Sequence, residues 1–168
     1  MSLAPIPASM DRMEQLADPS LAPLQYMFTK PLPDATNEDA CLEYAAEISA
    51  YMGGSADHKV SEEIGTVIEL RHVFAHKARV RNVDDHGDWD GTYNETDRLV
   101  LIDNDGESYE CQSDGVIGSI LAIFQLPGIG SPQTWKKPLR VVVKQVAVRD
   151  KWRTFKIQVL PPPKKTSK

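Results

Sequence analysis

The chain has 168 residues, of which 41% are apolar and 26% charged, a length and balance suited to a single domain with its own core. That composition excludes collagen-like, disulfide-stapled and wholly disordered chains, and no apolar run reaches the ~20 residues of a membrane span. The formal net charge of -5 conceals a gradient, because residues 1–66 sum to -8, residues 67–134 to -7 and residues 135–168 to +10.

Residues 1–35 hold six of the twelve prolines and no sustained apolar period, which predicts a Pro-rich extended arm with at most a turn of helix near Met10 to Leu16. Residues 36–63 read as a helix and linker packing on the strand-rich region C-terminal to them. Thr36 or Asn37 caps the helix, Glu38 and Asp39 sit in its first turn, and Gly53 and Gly54 stop it. Leu42, Ala45, Ala46, Ser49 and Met52 form a thin apolar stripe for docking.

From residue 64 to residue 160 the texture is that of strands. Thr66 to Arg81 is a long run rich in β-branched residues, followed by a polar loop, Asn82 to Asp97, and a second strand, Arg98 to Asp103. Asn104-Asp105-Gly106 is a hairpin signal returning into Ser108 to Gln112. Ser113-Asp114 caps a helix whose Val116, Ile117, Ile120, Leu121, Ile123 and Phe124 are apolar on nearly all sides, so it is expected as a buried plug. A Gly/Pro-rich connection containing Trp135 leads to strands Leu139 to Val148 and Arg153 to Leu160, joined by a turn at Arg149 to Trp152. Pro161, Pro162 and Pro163 end the sheet, and residues 161–168 form a basic tail. This order predicts a mainly β fold, a five-stranded OB-fold-like barrel with a capping helix between its third and fourth strands, plus the N-terminal helix and arm.

OB barrels bind oligonucleotides or sugars on the face of strands 2 and 3 and at the loops joining strands 1 to 2 and 4 to 5. Single strands require cations for phosphates and aromatic faces for bases. The residues that fit are Arg79, Arg81, Arg98, Lys144, Lys151, Arg153 and Lys156 for phosphates, and Tyr109, Trp135 and Trp152 for stacking. Trp89 and Tyr93 lie in a loop dense with carboxylates and read at least as well as loop packing. That loop, Asp84 to Asp97, is a near miss to a calcium loop, with His86 at the first ligand position, Asp97 at the last and no flanking helices. It is read instead as a polar loop that rejects phosphate or contacts the basic hairpin of a neighbouring subunit.

No catalytic constellation emerges. His58, His72, His76 and His86 lack H-E-x-x-H spacing, Gly128-Ile-Gly130 lacks the rest of a phosphate-cradling loop, and no G-x-S-x-G elbow occurs. The reading is a non-enzyme without cofactor or metal.

The runs RLVLIDNDGESYECQSDGVIGSIL and PLRVVVKQVAVRDKWRTFKIQVL resemble single-stranded DNA-binding OB proteins of bacteriophages and mobile elements, over Ile64 to Leu160. The chain departs from cellular single-strand-binding proteins by carrying Pro-Pro-Pro-Lys-Lys-Thr-Ser-Lys168 where they carry an acidic tail. The resemblance implies a non-sequence-specific single-stranded DNA-binding protein of replication or recombination, acting in the cytoplasm of a host. RNA, further copies of the chain and replication proteins stay open as partners. The alternative is a protein-interaction or virion-associated OB-like module without nucleic acid, favoured if the basic residues scatter over both faces. The charge gradient adds an expectation that the acidic front competes for the basic face, so that removing residues 1–62 strengthens binding.

Overall fold

The computed structural model describes residues 26–149 and 152–163, with the backbone alone at Ala78, Arg79, Val80, Glu95, Val148, Arg149 and Trp152. The elements are β1 (Tyr26–Phe28), α1 (Glu38–Met52), β2 (His58–Lys59), β3 (Val67–Val83), β4 (Trp89–Asp103), β5 (Ser108–Cys111), α2 (Asp114–Phe124), β6 (Leu139–Arg149) and β7 (Trp152–Val159). Among the described residues the fold is mainly β, one sheet curled into a half-barrel with two α-helices. Where five strands were expected the sheet has seven, in the order β2-β5-β4-β3-β6-β7 with β1 also on β3.

β3 organises the sheet. One of its edges pairs with β4 from Leu70 to Val83, while the other is shared by β6, opposite Val67 to Leu70, and β1, opposite Phe74 to His76. Since β6 is antiparallel to β3, it continues past Val67 and away from the β3–β4 turn. The β3–β4 and β6–β7 ribbons therefore leave their common segment in opposite directions along the strands.

Alternation along the strands builds two cores. Ile68, Leu70, Val73, Leu99, Leu101, Val141, Val143 and Ile157 line one face together with Val116, Ile120 and Ile123 of α2. On the opposite face Phe74, Val100 and Ile102 lie against Tyr51 of α1 and Phe28 of β1. A register irregularity between Leu70 and His72 resets the alternation of β3, which lets a single strand serve both layers.

Several elements differ from their expected form. Most of the polar loop is ribbon: Arg81 pairs with Tyr93 and Val83 with Trp89, leaving only residues 84–88 as the turn. No apolar alternation marks this stretch; turn caps hold it, with Asp84 Oδ1 accepting from the amides of His86 at 2.8 Å and Asp88 at 3.0 Å. In α1, capped by Asn37 Oδ1 on the Ala40 amide, the docked side is Tyr44, Ile48 and Tyr51, which touch Phe28 or Phe74. Leu42 of the expected stripe is 68% exposed, because the aromatic partners lie on the other side of the helix. Nor is α2 a plug, since Leu121 is 51% exposed and Ala122 is exposed. It lies against β7, where Gly115 comes so close that a Cβ there would sit 2.5 Å from the Phe155 carbonyl oxygen.

Part of the expected arm is built into the fold. Residues 26–28 form β1, the Thr29 hydroxyl accepts from the Val73 amide at 2.8 Å, and Lys30 meets Glu47 of α1 at 2.9 Å. The predicted turn of helix near Met10 to Leu16, and residues 164–168 of the basic tail, lie outside the described residues. No helix among the described residues is long and apolar enough to cross a membrane.

Candidate nucleic-acid interface

The β6–β7 ribbon places Val141, Val143, Phe155, Ile157 and Val159 toward the core. The alternate residues then fall on the other face by the two-residue period of a strand. On that face the register sets Lys144 directly opposite Lys156, between Val142–Gln158 and Val146–Thr154. Like charges directly opposite one another disfavour strand pairing. Both lysines are exposed, and neither meets a carboxylate within ion-pair distance among the described residues.

The lysine pair borders a groove of about 420 Å³ formed with α2, where Ala122, Ile123 and Leu126 face Val146 and Val159. Arg153, three residue pairs further out opposite Ala147, is exposed, with Nη1 3.4 Å from Gln145 Oε1. Trp152 pairs with Arg149 at the end of the ribbon. Lys151 lies outside the described residues, and Trp152 and Arg149 are described by backbone only. The ribbon thus holds Lys144 and Lys156 together on one face, with Arg153 on the other face near its end and the backbone position of Trp152 beyond it.

Of the other predicted residues, Arg98 and Tyr109 lie inside the protein and Trp135 is half-buried. Arg98, expected at a phosphate, is buried: it grips Glu110 through Nη2 and through Nε at 3.0 Å, and its Nη1 donates to the Tyr51 carbonyl. Its guanidinium is spent in joining α1 to the sheet. His76, whose Nε2 is 3.2 Å from Arg98 Nη1, has its pKa lowered by burial and then by that cation.

Tyr109 is 7% exposed, with its ring stacked on His58 at 4.8 Å and its hydroxyl 3.5 Å from Asp103 Oδ2. Burial and the nearby Asp103 push its pKa up to about 12. Trp135 packs edge-on against Phe124 and donates its indole N–H to the Ile129 carbonyl at 2.9 Å. The buried, stacked Tyr109 ring offers no open face for a base, and the half-buried Trp135 is engaged with its own connection.

The remaining two belong to the β3–β4 ribbon. Register pairs Lys77 with Asp97, Arg79 with Glu95 and Arg81 with Tyr93, so two of these three positions stand opposite an acidic residue. Arg81 lies over the Trp89 ring, 5.2 Å from its centroid, and Trp89 is 5.3 Å from the Tyr93 ring. Trp89 is 48% exposed, although its N–H is fixed on the Thr92 carbonyl at 2.9 Å.

Sequence reading underrates this aromatic pair, and the spacing that discloses it is Val83 and Trp89 flanking a five-residue Asp/Gly turn. The carboxylates nearby have local duties. Asp84 caps the turn, and Asp90 Oδ1 accepts from the Thr92 amide at 2.8 Å; bonding to Thr92 holds the Asp90 carboxyl below its ordinary value.

A family model described as Phage Single-stranded DNA-binding protein matches residues 44–160. No curated protein and no solved structure matches the chain.

Proposed function

The chain belongs to the phage single-stranded DNA-binding protein family, and we propose that it coats single-stranded DNA without reading its sequence, as a non-enzymatic accessory in phage replication or recombination. The scaffold for this role is an open OB barrel made of β3, β4, β5, α2, β6 and β7, with β1, β2 and α1 as additions. Phosphates lie along the β6–β7 ribbon, on Lys144, Lys156, Arg153 and Lys151, and Trp152 stacks a base. Arg98, Tyr109 and Trp135 support the fold and leave the contact to the ribbon.

The observation that carries this reading is the Lys144–Lys156 pair. Two cations forced opposite one another are costly in the free ribbon, and a phosphate between them removes the repulsion. Point charges on phosphates position a strand but carry no base information, which accounts for the absence of sequence preference.

The test is a titration with labelled oligonucleotides of differing sequence at several salt concentrations. Affinity should fall with salt and differ little between sequences. For single strands the slope of log K against log salt is ~0.7 per neutralised phosphate, so Lys144→Ala with Lys156→Ala, which empties the one phosphate site between them, should flatten it by about 0.7. Absence of binding at low salt, or binding indifferent to salt, would overturn the proposal.

A further inference from the structure

The two ribbons are complementary in charge and point away from each other. Residues 82–97 of the β3–β4 ribbon carry six carboxylates and no Lys or Arg, whereas residues 142–156 carry five Lys/Arg and one Asp. The acidic tip is also apolar at its surface, since Val83 and Trp89 are both exposed. The groove beside Lys144 and Lys156 shows the matching combination, two cations beside Ala122, Leu126 and Val146. Leu121 of α2 and Leu126 just beyond its end are left exposed as well.

A molecule cannot readily bring its own tip to its own groove. Val83, at the tip, is separated from the β6 junction at Val67 by the length of β3, ~50 Å of strand at ~3.3 Å per residue, and β6 leaves that junction in the opposite direction.

We propose that the Lys144–Lys156 groove is a docking site for a second copy of this chain, which inserts the acidic, Trp89-bearing tip of its β3–β4 ribbon. The contact is heterologous, tip on groove, so each copy keeps one unused tip and one unused groove. Such a contact builds an open head-to-tail array and not a closed pair. The inference rests on the proposed DNA binding in one respect: phosphates use the same two lysines, so single-stranded DNA displaces the tip and breaks the array.

Charge exchange on the full chain tests this. The tip variant is Asp85→Lys with Asp88→Lys, which spares the capping carboxylates of Asp84 and Asp90; the groove variant is Lys144→Glu with Lys156→Glu. By sedimentation velocity at low salt and without DNA, the wild-type mass should rise with concentration beyond a dimer and fall back to the monomer at high salt. Each variant alone should stay monomeric, with circular dichroism and melting like wild type, and a mixture of the two should regain association, because the tip of each is then opposite in charge to the groove of the other.

A wild-type chain that is monomeric at low salt, one that stops at a discrete dimer, or variants that associate like wild type would overturn the array. Oligonucleotide titration of the monomeric tip variant tests the DNA reading separately, because its groove lysines are intact. Trp89→Ala should weaken association and leave the affinity of that tip variant for oligonucleotide unchanged. A loss of affinity would place the tip on DNA and overturn its assignment to a second copy.

Discussion

Arg98 and Glu110 form a buried ion pair across neighbouring strands, and the same guanidinium holds the Tyr51 carbonyl near the end of α1. One side chain thus fastens the outer layer to the sheet. Removing it leaves Glu110 facing a buried gap and the carbonyl without its donor. Breaking a buried pair from one side costs about 3–5 kcal/mol. Glu110 is a quarter exposed, so Arg98→Ala is expected near the lower end, about 3 kcal/mol, measured by urea unfolding. Oligonucleotide affinity of the folded fraction should not change.

Gly115 stands where no side chain fits. A Cβ would lie 2.5 Å from both the Phe155 carbonyl oxygen and Thr154 Oγ1, so Gly115→Ala must push α2 off β7. The expected loss is about 1–3 kcal/mol, the usual cost of overpacking. Adding Thr154→Ala should not restore the stability, because the Phe155 carbonyl belongs to the backbone. Thermal melts of the single and double variants check this.

His58 hydrogen-bonds Glu107 at 2.8 Å and has Glu63 at 3.5 Å. The bond to Glu107, helped by the charges of Glu107 and Glu63, raises its pKa above the ordinary 6.5. A raised folded pKa means that the pair stabilises the fold fully below the unfolded value, and that the contribution is lost as pH rises through the folded one. An NMR titration should find the His58 pKa above 6.5 in the wild type. In Glu107→Gln it should move back toward that value.

The charge gradient alone predicts that removing residues 1–62 strengthens DNA binding by lifting an acidic competitor. The packing changes the expected order of effects. Tyr51 and Phe28 cover Phe74 and Val100, both fully buried, and the truncation would strip that cover and the Tyr51 carbonyl that Arg98 holds. The truncated chain should bind a hydrophobic dye and unfold at lower temperature than the full chain; an unchanged melting temperature would contradict this.

Where apolar alternation or turn chemistry acts locally, the sequence is a sufficient guide. Val141, Val143, Ile157 and Val159 face the core as their spacing requires, Asn37 caps α1, and Gly106 takes a positive φ of 87° in the turn after β4. The features that sequence does not disclose depend on distant partners. Arg98, Tyr109 and Trp135 resemble surface residues until Glu110, Asp103 and the Ile129 carbonyl are brought to their polar ends. In the outer half of the β3–β4 ribbon every pair but Val83–Trp89 includes a polar residue, a pattern indistinguishable by composition from a loop. The interface is legible as a set of cations on one hairpin, but the opposition of Lys144 and Lys156 requires the register.

Both ribbons carry a register irregularity just before their turns, between Arg81 and Val83 in one and between Ala147 and Arg149 in the other. A single inserted residue in a regular ribbon would swap its two faces from that point outward. An irregularity beside the turn confines the swap to the last residues. Reach can therefore vary between relatives in steps of two residues per strand, ~7 Å each, with the lysine pair and both cores untouched, while odd changes in length are absorbed at the tips.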